Sequence, residues 1–365
     1  STVFDDGSTM ANGTFLAKYD SCGQLIWVQD VTQLGEKMRK FEMDGNGNII
    51  LLAWTGNGVF GSIDNYYLSK ITPAGTILWS NTIEHKYLPW PSFDVDQNSN
   101  NIYLALNLNQ TLKYKDQTGN NVINLTTAGS PNTAGAIVCV NPNGYVTYQE
   151  EVHNVQGLFR FQDVVVAESV GRIFFTGAMK DVSFLSNPIV QFTNSGNTVS
   201  SFLSKDVLLA SYSTTGFGPT YSWGTSTGNQ SYETAMQLAY SNTNNVLVLK
   251  NYQTMSTYTP TGANISSFAT LFGTSGRMRY NDQENCIMLT GTTNCNELRL
   301  AKYSLTGLVW DYTLSTCGYN KAFVYDVNFS PLTNRLYFTG TYWKDDLTLL
   351  GTTMPLSGGR DVFIS

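Results

Sequence analysis

Charge is scarce in this chain. Asp, Glu, Lys and Arg make up 13% of its 365 residues, and the net charge at neutral pH is −6. Soluble domains usually carry roughly 25% of such residues. No Lys/Arg cluster is available to neutralise phosphates, which excludes a nucleic-acid partner. Histidine is scarcer still: His85 and His153 are the only two, each beside an outer strand of a different repeat, and neither is flagged by a nucleophile motif. The sequence has no G-x-S-x-G, no H-E-x-x-H and no phosphate-cradling glycine loop, so no catalytic constellation and no cofactor site is expected. No apolar run reaches the 18 or so residues that a membrane helix needs. No leader pattern is present either, and the start at Ser1 reads as a processed or trimmed chain. Helical stripes of period 3.6 are nearly absent, which excludes helical and leucine-rich solenoids.

Cysteine is sparse as well. The five residues Cys22, Cys139, Cys286, Cys295 and Cys317 form no C-x-x-C pair and no metal-ligand spacing. Cys139 stands in an apolar strand and reads as a buried thiol. Cys295 and Cys317 flank the hairpin that turns at 304–307 and lie symmetrically about it. Antiparallel pairing would bring them face to face, so a Cys295–Cys317 disulfide in an oxidising compartment is the expectation.

What the chain has instead is repetition. GTFLAKYDSCGQLIW (Gly13 to Trp27) reads as strand, tight turn, strand, and the phrase returns five times, ending with LRLAKYSLTGLVW (Leu298 to Trp310). A seventh copy, GGRDVFIS, opens at the C-terminus and breaks off at Ser365 before its turn. The turn glycines Gly23, Gly75, Gly144, Gly216, Gly262 and Gly307 are spaced by 52, 69, 72, 46 and 45 residues. Between these hairpins runs a second unit, an Asn/Asp/Gly-rich turn followed by a strand apolar on both faces. It occurs six times, at 40–54, 93–106, 163–177, 236–250, 278–291 and 324–340. Strands apolar on both faces must be packed between neighbouring sheets.

Two hairpins per period of about 40–50 residues is the pattern of four-stranded propeller blades. The expected fold is therefore all-β: one β-propeller domain over residues 1–365, with six blades favoured and seven the alternative. In that ring the N-terminal hairpin Gly13–Val28 would close the C-terminal blade. Trp27, Trp79, Tyr148, Trp223 and Trp310, which follow the turns, read as inter-blade packing anchors. The insertions 107–133 and 179–205 are rich in Asn, Thr, Ser and Gly yet carry short apolar strings. They are expected on the outside of the ring, where partner contact is easiest.

The pattern D-x-F-x-x-K-Y-[DS]-x-x-G-x-x-x-W, followed by a D-x-x-G-N-like turn and x-Y-x-T-G, resembles SBBP-type β-propeller repeats. The match is best at Phe15–Trp27, Leu298–Trp310 and Gly358–Ser365; the third to fifth repeats lose the Lys, and the Trp becomes Tyr148 and Ser266 in two of them. The resemblance implies a secreted or surface protein, and it brings no catalytic residues with it.

The remaining features are modest. Asp44-Gly45-Asn46-Gly47-Asn48 starts like a calcium loop, but its twelfth position is Thr55, not an acid, so a hairpin turn is the reading. Asp44, Asp94, Asp96, Asp163, Glu168 and Asp326 recur near the inner strands and read as turn-forming carboxylates; the livelier reading is a cation-attracting channel mouth. Asn109, Asn124 and Asn229 are the N-x-S/T sequons best placed in loops for glycosylation. Tyr87, Trp90, Tyr342 and Trp343 stand at loop mouths, where they would stack on sugar rings. The function expected is a non-enzymatic, extracellular structural or adhesive module with a protein or glycan surface partner, self-assembling or set in a tandem array. A carbohydrate-binding propeller is the alternative, and a propeller glycosidase or lyase comes third.

Overall fold

The computed structural model describes residues 2–3, 9–10, 14–20, 24–35, 37–56, 63–86, 91–108, 111–126, 133–180, 188–201, 205–214, 218–227, 237–251, 254–271, 276–292, 298–315, 322–329, 336–342, 347–349, 352–354 and 361–364. Among them there is no α-helix; two single-turn 3-10 segments, Thr32–Leu34 and Glu168–Val170, serve as connectors.

The strands form consecutive antiparallel meanders. Sheet 1 is Lys37–Met43, Ile49–Thr55, Ile63–Ile71 and Ile77–Lys86; sheet 2 is Ser92–Val95, Ile102–Asn107, Thr133–Val140 and Val146–Gln156. Sheet 3 runs Leu158–Ala167, Arg172–Lys180, Lys205–Ser213, Thr220–Thr227, and sheet 4 Gln237–Ser241, Val246–Asn251, Thr254–Tyr258, Asn264–Ala269. Sheet 5 is Gly276–Asn281, Cys286–Thr292, Leu298–Ser304 and Gly307–Ser315; sheet 6 has three strands, Ala322–Phe329, Leu336–Tyr342 and Asp361–Ile364. The first strand of each sheet packs against the first strand of the next, from sheet 1 through to sheet 6. Sheets stacked through their first strands in this way make the chain an all-β, propeller-type repeat.

The core lies in layers between neighbouring sheets, as the apolar second strands require. Ile50 and Leu52 enter the layer shared with sheet 2, while Leu51 and Ala53 between them enter the layer under the N-terminal hairpin. All four are fully buried. Burial of Ile50, Leu51 and Leu52 contributes roughly 1.5–3 kcal/mol each. Further layers join sheets 2 and 3, 3 and 4, and 4 and 5.

A recurrent lock ties one sheet to the next. The Trp79 indole, on the fourth strand of sheet 1, donates Nε1–H to the Pro142 carbonyl at 3.0 Å and lies over Gly144 in the turn 142–144 of sheet 2. Trp27 does the same to Pro73 at 3.0 Å and Trp223 to Pro260 at 2.9 Å. Tyr148 packs over Gly218 without the indole bond. Gly144 has φ +87°, and a Cβ there would lie 2.9 Å from Trp79 Cδ2, so conformation and space both demand glycine. These aromatics are inter-sheet anchors, as their position after each turn implied. Trp310 lies against Tyr312, with ring centroids 5.0 Å apart and the planes tilted by 56°.

The insertions are more than loops. Thr111–Lys115 and Asn121–Thr126 turn back to sheet 1 and extend its outer edge, Leu112 pairing with His85. Ile189–Phe192 and Thr198–Ser200 extend sheet 2 likewise. Both lie at the outer edge, but they bury Leu112, Tyr114, Ile123, Val190 and Phe192, so they contribute core as well as surface.

One expectation is corrected. Among the described residues, Phe15–Tyr19 pairs with Leu25–Asp30 as a two-stranded sheet, and the hairpin does not enter the sheet containing 324–340. The outer edge of Leu336–Tyr342 is held by Asp361–Ile364, with Gly340 opposite Phe363. Both segments carry the same strand pattern, and the C-terminal copy reaches the edge through a short connection, which carries the smaller loop-closure cost. The N-terminal hairpin instead leans on sheet 1: Leu16, Val31 and Leu34 pack on Leu51, Ala53 and Ile71.

Candidate functional site

Where the first strands converge, five charged side chains meet. Lys40 and Glu42 come from sheet 1, Asp94 from sheet 2, Asp163 from sheet 3 and Arg279 from sheet 5. Arg279 Nη2 meets Glu42 Oε1 at 2.7 Å, and its Nε donates to the Val327 carbonyl of sheet 6 at 3.3 Å. Lys40 Nζ donates to the Phe93 carbonyl at 2.6 Å and stands 3.5 Å from Glu42. One guanidinium thus links sheets 1, 5 and 6. Asp94 accepts the Val166 amide of sheet 3 at 2.7 Å; Asp163 accepts the Leu238 amide of sheet 4 at 3.0 Å and the Ser92 hydroxyl of sheet 2 at 2.8 Å. Each carboxylate satisfies a backbone donor on the neighbouring first strand, a bond that an unpaired buried N–H would otherwise lose.

Burial pushes the Asp94 carboxyl up to about 7; Lys40 opposes the rise, Glu42 adds to it, and the Val166 amide and Arg279 oppose it. Burial also works against the Glu42 charge, but Arg279 and Lys40 outweigh it and hold that carboxyl below its usual range. The two groups act in opposite directions on stability. Unfolded Asp titrates near pH 3.9, so folding raises the proton affinity of Asp94, and its contribution improves as pH falls from above 7 towards 4. Glu42 stabilises above its unfolded pKa, and that stability is lost as pH falls through its lowered folded value. Asp94→Asn should therefore abolish a gain on the order of 2 kcal/mol between pH 8 and pH 5. The asparagine oxygen still accepts from Val166. Urea unfolding of wild type and variant at both pH values checks this; a variant keeping the full pH dependence would refute it.

The inner turns are linked at one end of these strands. Gly45 N donates to Asn100 Oδ1 at 2.7 Å, Ser169 N to Asn242 Oδ1 at 3.2 Å, and Ser241 Oγ to Asp282 Oδ1 at 2.7 Å. Asn100, Asn245 and Asn285 adopt left-handed φ of 58°, 52° and 51°, which asparagine tolerates. The Asp44 turn is occupied by the protein itself: Asp44 accepts from Asn46 N and Asn48 N, and Lys70 Nζ lies 2.8 Å from Oδ2, where a calcium ion would have to sit. Among the described residues, no group of three or more His, Cys, Asp or Glu is placed to hold a metal ion. Asp96 caps its own turn through Asn98 N and Ser99, and Glu168 accepts from Asn242 Nδ2. His153 pairs with Glu151 at 3.2 Å in sheet 2, and His85 stands in the fourth strand of sheet 1.

Several sequence-derived sites lie outside the described residues: Cys295 and Cys317, Asn109 and Asn229, and Tyr87, Trp90 and Trp343. Tyr342 ends the second strand of sheet 6, and Asp326 lies in its first. Asn124 belongs to a strand, not a loop, and its side chain is exposed. Cys139 and Cys286 are buried free thiols, and burial raises both above the usual thiol range. Reading the sequence passed over Lys40, Glu42 and Arg279. The available signal was charge on first strands in a chain that has so little of it.

A second feature lies beside the N-terminal hairpin. A groove of about 460 Å³ opens between Phe15–Tyr19 and the first strand of sheet 1, lined by Leu16, Lys18, Tyr19, Trp27, Phe41 and Met43. Phe41 is 43% exposed and Met43 46%. Their counterparts in sheet 2, Phe93 and Val95, are 0% and 1% exposed because sheet 1 covers them.

No protein-family model matches the chain, and no curated protein matches it significantly. Among solved structures it is similar to Chaetomium thermophilum Sqt1 bound to the N-terminus of ribosomal protein L10, at 10% identity and TM-score 0.48, over 89% of this chain and 75% of that one. It is also similar to the dihydro-heme d1 dehydrogenase NirN in complex with DHE, at 9% identity and TM-score 0.49, over 96% of this chain and 73% of that one. At such distances neither the partner nor the activity carries over.

Proposed function

We propose that the chain is a non-enzymatic, extracellular β-propeller of SBBP-repeat type, a single domain that serves as a structural or adhesive module of a cell or particle surface. Its own sheets supply six blades, and its partner is another protein surface. The observation that carries this reading is how the polar and apolar groups are spent. The axial carboxylates, the residues a hydrolase would need free, are engaged by backbone amides and by Arg279 and Lys40 of neighbouring sheets. Exposed apolar side chains gather instead in a groove bordered by a two-stranded hairpin. The low charge and the hydroxyl- and amide-rich composition support the extracellular setting.

Antibodies to the chain should decorate the exterior of intact source cells or particles. Labelling that appears only after permeabilisation would sink the surface reading. A glycan array tests the lectin alternative on the same material, with no sugar retained as the expected result.

A further inference from the structure

We propose that Arg279 and Glu42 form a clasp that holds the two ends of the repeat together at the axis, and that Asp94 beside them sets how tightly the clasp closes.

The ends of the repeat need a bond that its middle does not. Sheets 1 to 6 follow one another along the chain, so each is tethered to the next by a connecting segment. The first and last sheets have no such tether, since Lys37–Met43 and Ala322–Phe329 are separated by most of the chain. Bringing them to one axis carries a loop-closure cost that grows with the length between them. The axial ties in the middle of the repeat join a carboxylate to the backbone of the next sheet: Asp94 takes the Val166 amide and Asp163 the Leu238 amide. The tie between the ends is an ion pair instead. Arg279 of sheet 5 places Nη2 at 2.7 Å from Glu42 Oε1 of sheet 1, and its Nε donates to the Val327 carbonyl of sheet 6 at 3.3 Å. One side chain therefore bonds the last two sheets to the first. Arg279 and Glu42 are 27% and 14% exposed, so solvent screens the pair only in part.

The charges around Glu42 give the clasp its control. Lys40, on the same strand, stands 3.5 Å from Glu42 and donates to the Phe93 carbonyl of sheet 2. Asp94 of sheet 2 interacts with Lys40, Glu42 and Arg279 together. Asp163, the axial carboxylate of sheet 3, is engaged by the Ser92 hydroxyl and the Leu238 amide. Burial raises the Asp94 carboxyl to about 7, with Lys40 opposing and Glu42 adding to the rise. That coupling is reciprocal: an ionised Asp94 works against the Glu42 carboxylate and competes with it for Lys40 and Arg279. A neutral Asp94 does neither. Burial also works against the Glu42 charge, but Arg279 and Lys40 outweigh it, so Glu42 stays ionised while Asp94 is protonated. The clasp is tightest in that window, below neutrality and above the range where Glu42 takes a proton. It loosens as pH rises through 7 to 8.

Distances within the folded chain test this, because a mere loss of stability leaves them unchanged. Leu78 in sheet 1 and Val309 in sheet 5 are 52% and 56% exposed, and spin labels carried there on encoded non-natural residues leave the native cysteines untouched. Val155 in sheet 2 and Ile265 in sheet 4, 50% and 54% exposed, make the control pair. Pulsed EPR should give one narrow 78–309 distance at pH 6 and an added longer component at pH 8.5, with the 155–265 distance the same at both. Asp94→Asn should keep the narrow distance at pH 8.5, since asparagine stays uncharged and its oxygen still accepts from Val166. Arg279→Met should shift the 78–309 pair to longer distances at both pH values. Glu42→Gln keeps the shape and removes only the charge; it should lengthen the same pair at both pH values, and it decides the matter if Arg279→Met does not fold. An unchanged 78–309 distance in the folded Arg279 and Glu42 variants would show that the ends are held elsewhere and overturn the clasp. Lengthening of the control pair alongside would overturn it too, as a general loosening. A longer component that persists at pH 8.5 in Asp94→Asn would remove Asp94 from its control.

Discussion

Trp79→Ala is expected to cost about 3–5 kcal/mol of stability, the range for deleting a buried tryptophan. Trp79 is 6% exposed and stands in the layer between sheets 1 and 2. Its removal opens a cavity there and takes away the Nε1–H bond to Pro142. Trp79→Phe should recover most of the packing but leave a deficit of about 1 kcal/mol for the missing donor. Gly144→Ala attacks the same contact from the other side, since the added methyl must displace the indole from a backbone at φ +87°. Trp27→Ala should cost less, because that ring is half-buried against a groove that is open on one side. Equilibrium unfolding in urea checks the ranking. A loss below 1 kcal/mol for Trp79→Ala would mean that the lock is not what holds sheet 1 to sheet 2.

Much of this lock was legible in the sequence. The turn glycines and the aromatic that follows each of them recur with the repeat, and equivalent positions in stacked units must meet equivalent surroundings. Three turns even advertise the acceptor, in Thr72-Pro73-Ala74-Gly75, Asn141-Pro142-Asn143-Gly144 and Thr259-Pro260-Thr261-Gly262. The axial charges were harder to read. Glu42 and Arg279 are 237 residues apart, and no local pattern announces a partner at that distance. Asp94 and Asp163 looked like turn carboxylates because Asp favours turns, yet both reach across to amides of the neighbouring sheet. The placing of the N-terminal hairpin failed for a different reason. Two copies of one strand pattern, Phe15–Tyr19 and Asp361–Ile364, fit one edge; the pattern they share does not rank them, and only the shorter connection of the C-terminal copy does.

The repeat lysine gives the last expected result. Lys70 Nζ lies 2.8 Å from Asp44 Oδ2, with side chains 6% and 0% exposed, and it also donates to the Pro142 carbonyl at 3.3 Å. The position recurs: Lys18 reaches the Pro73 carbonyl and Lys302 the Glu284 carboxylate. Lys70 thus joins the inner turn of its own sheet to the outer turn of the next. Lys70→Met keeps most of the stem's volume but leaves the Asp44 carboxylate buried with only the amides of Asn46 and Asn48 around it. Breaking a buried pair from one side costs about 3–5 kcal/mol. Burial works against the Asp44 charge, but the bonds from Lys70 and Asn48 outweigh it and hold the folded carboxyl below its usual value. Wild-type stability from this group is therefore present above the unfolded pKa near 3.9 and is lost as pH falls through the lower folded value. Without Lys70 burial meets less opposition, and the folded carboxyl binds its proton more tightly than in the wild type. The deficit should then be largest at pH 7 and shrink towards pH 4, where a protonated Asp44 needs no cation. Asp44→Asn combined with Lys70→Met should be less destabilised at pH 7 than Lys70→Met alone, because no unpaired charge remains. Urea unfolding of the single and double variants at pH 7 and pH 4 reads both effects. A deficit independent of pH, together with a double variant no better than the single, would show that Lys70 acts through its contact with the Pro142 turn and not through Asp44.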